Sequence, residues 1–223
     1  MSAAAALLVI HEAGDPEAGG RWTELVEAWP GPAVAPDLPG HGSSPPPTGA
    51  SYAPGDAAFA ADQALQAAGL TDGEVVVLGH GWGGFAAEFL AAAGRVTRLV
   101  LVDGLGPPWR TVEELVADQQ RWLRGVLADP AALAPPGNMQ PDPRLRHGFW
   151  SIWERGFIAG LRAAINTPVL AIESPDSPTP RAELADRLAD YAGSTDLMYV
   201  AGDLPGAVVG ALRHAGWLPT QAP

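Results

Sequence analysis

The chain has 223 residues, 47% of them apolar and 17% charged, which suits one globular domain with a sizeable core and is too apolar for a disordered chain. Its formal charge is −12, from 13 basic and 25 acidic residues, which argues against a nucleic-acid footprint and against docking on anionic membranes. Cysteine does not occur, so disulfides, thiolate metal sites and a cysteine nucleophile are excluded.

The apolar start Ser2–Ile10 has no basic flank and is far shorter than the ~20 residues of a membrane span. It reads as the lead into a first core strand, with the cytoplasm as the expected location. Strands are then expected at Leu7–Ile10, Ala33–Ala35, Val75–Leu78, Leu99–Val102, Val169–Ile172 and Leu197–Val200. Helices are expected at Arg21–Trp29, Asp56–Ala68, Gly83–Ala93, Arg181–Tyr191 and Pro205–His214. Strands that alternate with helices predict an α/β fold with a mostly parallel sheet of about six strands. Continuous apolar runs such as Leu99-Val100-Leu101-Val102 fit strands covered by helices on both faces.

From Gly104 to Thr167 this rhythm breaks. The interval holds Pro107-Pro108 and Pro135-Pro136, together with Trp109, Trp122, Phe149, Trp150, Trp153 and Phe157. Two helices are expected within it, over Val112–Leu127 and Arg146–Leu161. It is too long for a crossover loop, and the expectation is a helical cap over 105–166 inserted into a core formed by 1–104 and 167–223.

The most informative stretch is Gly79-His80-Gly81-Trp82-Gly83-Gly84. It follows the apolar run Val75–Leu78 and precedes an Ala- and Leu-rich helix. A strand, a glycine-spaced turn and a helix make the nucleophile elbow, Gly-x-nucleophile-x-Gly. Here the apex is Gly81, which has no side chain to attack anything.

Other motifs stand in a matching order. The stretch Asp37-Leu38-Pro39-Gly40-His41-Gly42-Ser43-Ser44 resembles the loop after the second strand in small capped members of the α/β-hydrolase superfamily. Leu99–Asp103 resembles the strand after the elbow with its acidic end, and Val169–Asp176 the strand and loop that deliver the acid of a triad. Val200-Ala201-Gly202 resembles the strand end that supplies the catalytic histidine. The resemblance runs from about Leu7 to Leu218 and implies that superfamily's fold.

The chemistry implied by the resemblance needs a nucleophile, a histidine base and an orienting acid. Gly81 stands at the first position, Asp203 at the second and Asp176 at the third. The first oxyanion loop, usually His-Gly, reads His11-Glu12, whereas the second oxyanion donor survives as the backbone N–H of Trp82. A substitution made to trap a substrate would account for Gly81 alone, not for Glu12 and Asp203. His214, on the last helix, reads as a surface residue, and His41 as part of a structural turn.

If these loops converge as the resemblance implies, Glu12, Asp176 and Asp203 meet above Gly81. Two carboxyls in a covered cavity cannot both ionise easily, so one becomes an acid beside a carboxylate base. His11, His80, Trp109, Trp150 and Trp153 are the candidates for contacting the substrate, with Trp82 available for stacking. No ligand-spaced His/Asp cluster and no Gly-Lys-Ser/Thr appears, so neither a metal nor another cofactor is expected. Three readings stay open: an enzyme using non-covalent acid/base catalysis on an apolar small molecule such as a secondary metabolite, a water-activating hydrolase of an electrophile such as an epoxide, and a binding protein without turnover.

Overall fold

The computed structural model describes residues 4–15, 17–46, 52–70, 73–106 and 155–219, with isolated positions between 113 and 128. All six expected strands form: β1 Ala6–Ile10, β2 Ala33–Val34, β3 Val75–His80, β4 Arg98–Val102, β5 Val169–Glu173 and β6 Thr195–Tyr199. They build one parallel sheet in the order β2-β1-β3-β4-β5-β6. The helices are α1 Thr23–Ala28, entered through a 3-10 turn at Ala18–Trp22, α2 Pro54–Ala67, α3 Trp82–Ala92, α4 Arg155–Ala163, α5 Leu184–Leu188 and α6 Leu204–His214.

Two apolar cores lie on the two faces of the sheet. Leu8, Ile10, Val77, Leu99 and Leu101 pack with α2 and α3, while Leu7, Val9, Val76, Leu78 and Val100 pack with Trp22, Leu25, Val208 and Leu212. Successive residues of one strand therefore serve opposite cores, which is why β1 and the Val169–Ile172 stretch of β5 read as unbroken apolar runs. Each such side chain contributes roughly 1.5–3 kcal/mol by leaving water.

Where the elements depart from expectation, the cause is local. β6 begins at Thr195 instead of Leu197 because backbone pairing with β5 carries the exposed Thr195 and Asp196, whose side chains give no apolar signal. Val200 falls outside the strand, although its N–H still donates to the Glu173 carbonyl at 3.0 Å. The expected helix Arg181–Tyr191 is a 3-10 turn, Arg181–Glu183, followed by the short α5. The Val112–Leu127 prediction falls largely outside the described residues.

The end of the expected second cap helix is described as α4, and it docks on α3. Arg162 is fully buried and pairs with buried Glu88 at 2.8 Å, while its Nη2 donates to the Leu105 carbonyl at 2.8 Å. Tyr191 also donates to Glu88, so three segments are tied at one carboxylate. The register of the sheet matters most for the site. Ile10 stands beside Gly79, His80 beside Val102, and Val102 beside Ile172. The residues following β1, β3, β4 and β5 thus emerge side by side at the carboxyl edge, where open parallel sheets bind ligands.

Candidate active site

The elbow forms as the spacing predicts. Gly81 sits between β3 and α3 at φ +52° and ψ −120°, a conformation that costs a non-glycine residue steric strain. Its N–H donates to the Val102 carbonyl at 2.8 Å, which fixes the turn against β4. Gly83 is equally constrained, because a Cβ there would run into the carbonyls of Ile10 and His11. The first turn of α3 can therefore press against the end of β1, the segment that leads into Glu12.

Glu12 fills the space that Gly81 leaves. A Cβ built on Gly81 would overlap Glu12 Oε2 and lie 2.5 Å from Cδ and 3.4 Å from Cγ. Oε2 accepts the Trp82 N–H at 2.7 Å, and Oε1 accepts the Ala13 N–H at 2.8 Å. The Trp82 N–H, expected to be a vacant oxyanion donor, is thus engaged by a carboxyl of the same chain. Glu12 approaches from the loop after β1 and puts its carboxyl where an elbow side chain would begin.

The surroundings set its proton affinity. Burial raises the Glu12 carboxyl from the usual 4.5 to about 7 against the opposing pull of the two N–H donors, and the charges of Asp15 and Asp103 add to the rise. Asp103 follows β4, is 7% exposed and holds φ +50°, a rare conformation outside glycine. Its two oxygens accept the Ser174 N–H and hydroxyl, each at 2.7 Å. Next along the edge, Glu173 is buried and also raised to about 7, chiefly by burial, with Asp103 adding to the rise and the Ser177 hydroxyl donating to its Oε2.

The structure brings only Glu12 to Gly81 among the three acids singled out from sequence. Asp176 and Asp203 are exposed, and the carboxylates acting most on Glu12 are Asp15 and Asp103. The Asp176 N–H donates to Ser174 Oγ at 3.1 Å. Asp203 occupies the N-cap position of α6 without a side-chain capping bond, and its carbonyl accepts the Ala207 N–H at 2.9 Å.

His11 is fully buried and bonds only to main chain, so it cannot meet a substrate as the sequence suggested; the loop folds over it and turns both ring nitrogens inward. His80 is partly buried edge-on to Trp22 at 5.4 Å, and burial lowers its pKa. Trp109, Trp150 and Trp153 lie outside the described residues. Trp82 lines an apolar cavity of about 190 Å³ between α2 and the loop after β2, together with Leu38, Tyr52 and Phe59. Trp82 is therefore the link between this cavity and Glu12, holding the carboxyl with its backbone.

In the sequence Asp103 stands only as a customary strand end, and nothing there sets Glu173 apart. Both directly follow or close an apolar run, which gave a positional signal, but strand-end acids are common and only the register shows that these two are neighbours. Among the described residues no group of three His, Asp or Glu side chains could hold a metal, and no helix is long and apolar enough to cross a membrane.

None of the curated proteins matches the sequence. Among solved structures, NosK from Streptomyces actuosus superposes with a TM-score of 0.64 at 21% identity, covering 96% of each chain. An epoxide hydrolase, CorEH, gives 0.65 at 18% identity over 97% of this chain and 91% of its own. An α/β hydrolase from Sphaerobacter thermophilus DSM 20745 gives 0.61 at 18% identity over 96% and 93%. These likenesses speak for the fold. The model of the alpha/beta hydrolase family matches residues 7–146, more than half of the chain, and with the elbow, the sheet order and the strand-end acids in place the protein belongs to that family.

Proposed function

We propose that this protein is an enzyme that moves a proton on an apolar small molecule, with Glu12 as the general acid/base and no covalent intermediate. The observation that carries this reading is the Glu12 carboxyl, seated in the side-chain space of Gly81 and held by the Trp82 and Ala13 N–H groups. An ester or amide carbonyl seeking the Trp82 N–H would first have to displace it. A carboxyl that titrates at about 7 is present in both forms near neutrality, as proton transfer in either direction requires. The apolar cavity beside Trp82 favours an uncharged, partly unsaturated ligand. Cyclisation, isomerisation, elimination and addition all need this one proton carrier, and a secondary metabolite is a fitting substrate class. In this reading 105–166 is the cap, the protein works in the cytoplasm, and Asp176 and Asp203 have no first-hand part.

The test uses 5-nitrobenzisoxazole, whose ring opens when a base takes its C3 proton and the N–O bond breaks to a coloured phenolate. At pH 8 the wild type should open it at least ~10-fold faster than Glu12→Gln, with a rate that rises through about pH 7 as Glu12 loses its proton. Equal rates in the two proteins would overturn the reading. They would favour ligand retention without turnover, which the occupied Trp82 N–H also permits.

A further inference from the structure

We propose that His11 and His41 act as a paired staple, positioning residues that hold the turn bearing Glu12 so that its carboxyl enters the space beside Gly81. This rests on the acid/base reading only for its catalytic consequence. The staple itself concerns where Glu12 sits.

The geometry is a set of four hydrogen bonds made by the two rings, two of which join the turn after β1 to the loop after β2 while the other two anchor each ring to its own loop. The Leu38 N–H donates to His11 Nε2 at 3.0 Å, so that nitrogen carries no proton, and the proton of the neutral ring lies on Nδ1. From there it donates to the carbonyl of Glu12 at 2.7 Å. His41 repeats the arrangement. Its Nε2 accepts the Gly14 N–H at 2.8 Å, and its Nδ1 faces the Pro39 carbonyl at 3.1 Å. One ring thus holds the start of the turn and the other its end, and the rings contact each other with centroids 4.7 Å apart.

Both imidazoles are almost wholly buried. The Asp15 N–H adds a bond of 3.3 Å to the same Glu12 carbonyl and closes the turn. The Glu12 carbonyl therefore takes two donors, the His11 ring and the Asp15 N–H, in the turn from which its side chain reaches Trp82.

Such a staple works only while both rings are neutral. Protonation would set an N–H against the Leu38 or Gly14 N–H and break it. Burial opposes this, lowering His11 to about 4 and His41 below its ordinary value. The charges facing His11 are His41, which lowers it further, and Asp15 and Asp37, which raise it. Those facing His41 are Asp15 and Asp37, which raise it. Asp15 and Asp103 face Glu12.

The experiment follows the Cδ signal of Glu12 in protein labelled with ¹³C-glutamate, identified by its loss in Glu12→Gln. In the wild type it should titrate at about 7. In His11→Ala and in His41→Ala the midpoint should move down by at least one pH unit, as the freed carboxyl meets water. In His41→Gln, whose amide oxygen can accept the Gly14 N–H, it should return towards the wild-type midpoint. An unchanged midpoint in both alanine variants would overturn the staple.

If those variants do not fold, ¹⁵N shifts of the wild-type imidazoles decide instead. Both rings should be neutral with the proton on Nδ1 at pH 6.5, and a proton on Nε2 of either ring overturns the proposal. A shifted Glu12 midpoint combined with equal 5-nitrobenzisoxazole rates in wild type and Glu12→Gln would leave the staple standing and remove the acid/base reading.

Discussion

Gly81→Ala should destabilise the protein by at least ~3 kcal/mol, and removing Glu12 in the same chain should restore part of that loss. Two costs arise in the single variant. A methyl group at φ +52° and ψ −120° brings strain of about 1–3 kcal/mol by itself. It also claims the position of Glu12 Oε2, so the carboxyl must give up the Trp82 and Ala13 N–H groups, and at pH 8, where Glu12 is mostly ionised, each such charge-assisted bond contributes about 1.5–3 kcal/mol. In Glu12→Gly/Gly81→Ala only the strain remains of these two costs. Urea unfolding of the four proteins in the cycle should therefore give a coupling of at least ~1 kcal/mol in favour of the double variant. An equal effect of Gly81→Ala in both backgrounds would show that Glu12 does not occupy this space. By the same logic Gly81→Ser alone should not restore labelling by a fluorophosphonate, because its hydroxyl would meet the Glu12 carboxyl and no imidazole stands at position 203.

Much of this arrangement was legible in the chain itself. Apolar runs bounded by Gly and Pro located the six strands, since buried parallel strands must be apolar on both faces, and the elbow spacing located the turn at Gly81. The exchange of Gly for Glu after His11 was visible too, and it marked Glu12 as unusual. What the chain could not disclose was direction. Asp176 and Asp203 occupy the stations that the resemblance assigns to acid and base, yet they are exposed to solvent, while Glu12 turns inward because the His11 ring holds its carbonyl and the Trp82 N–H holds its carboxyl. The relation of Asp103 to Glu173 likewise depends on register, which pairs β4 with β5 across some seventy residues of sequence. The histidines misled for a similar reason. A His at a strand end has the same letter whether it faces a substrate or accepts a backbone N–H, and here His11 does the second.

The stability difference between Glu12→Gln and the wild type should depend on pH, growing in favour of the variant as pH rises from 4.5 to 8. Folded Glu12 keeps its proton up to about 7, whereas an unfolded glutamate releases it near 4.5. Between those values the folded state binds more protons, so the stabilisation present below pH 4.5 is lost as pH rises through about 7. The rise from 4.5 to about 7 corresponds to roughly 3 kcal/mol, or about 2–4 °C in Tm for each kcal/mol in a chain of this size. The wild type alone would not reveal it. Glu173 contributes in the same direction, but His11 opposes both, because an unfolded histidine gains its proton near 6.5 and folded His11 only near 4. Stability associated with His11 is therefore lost as pH falls across much of the same window, and His41 and His80, also lowered by burial, add to that loss. Subtracting the wild-type curve from that of Glu12→Gln cancels these shared contributions, and any fixed cost of the amide beside two N–H donors remains as a constant offset that leaves the pH slope unchanged. A difference that stays flat between pH 4.5 and 8 would mean that Glu12 titrates as an ordinary surface carboxylate, and the half-buried acid of raised proton affinity on which the proposed chemistry depends would be gone.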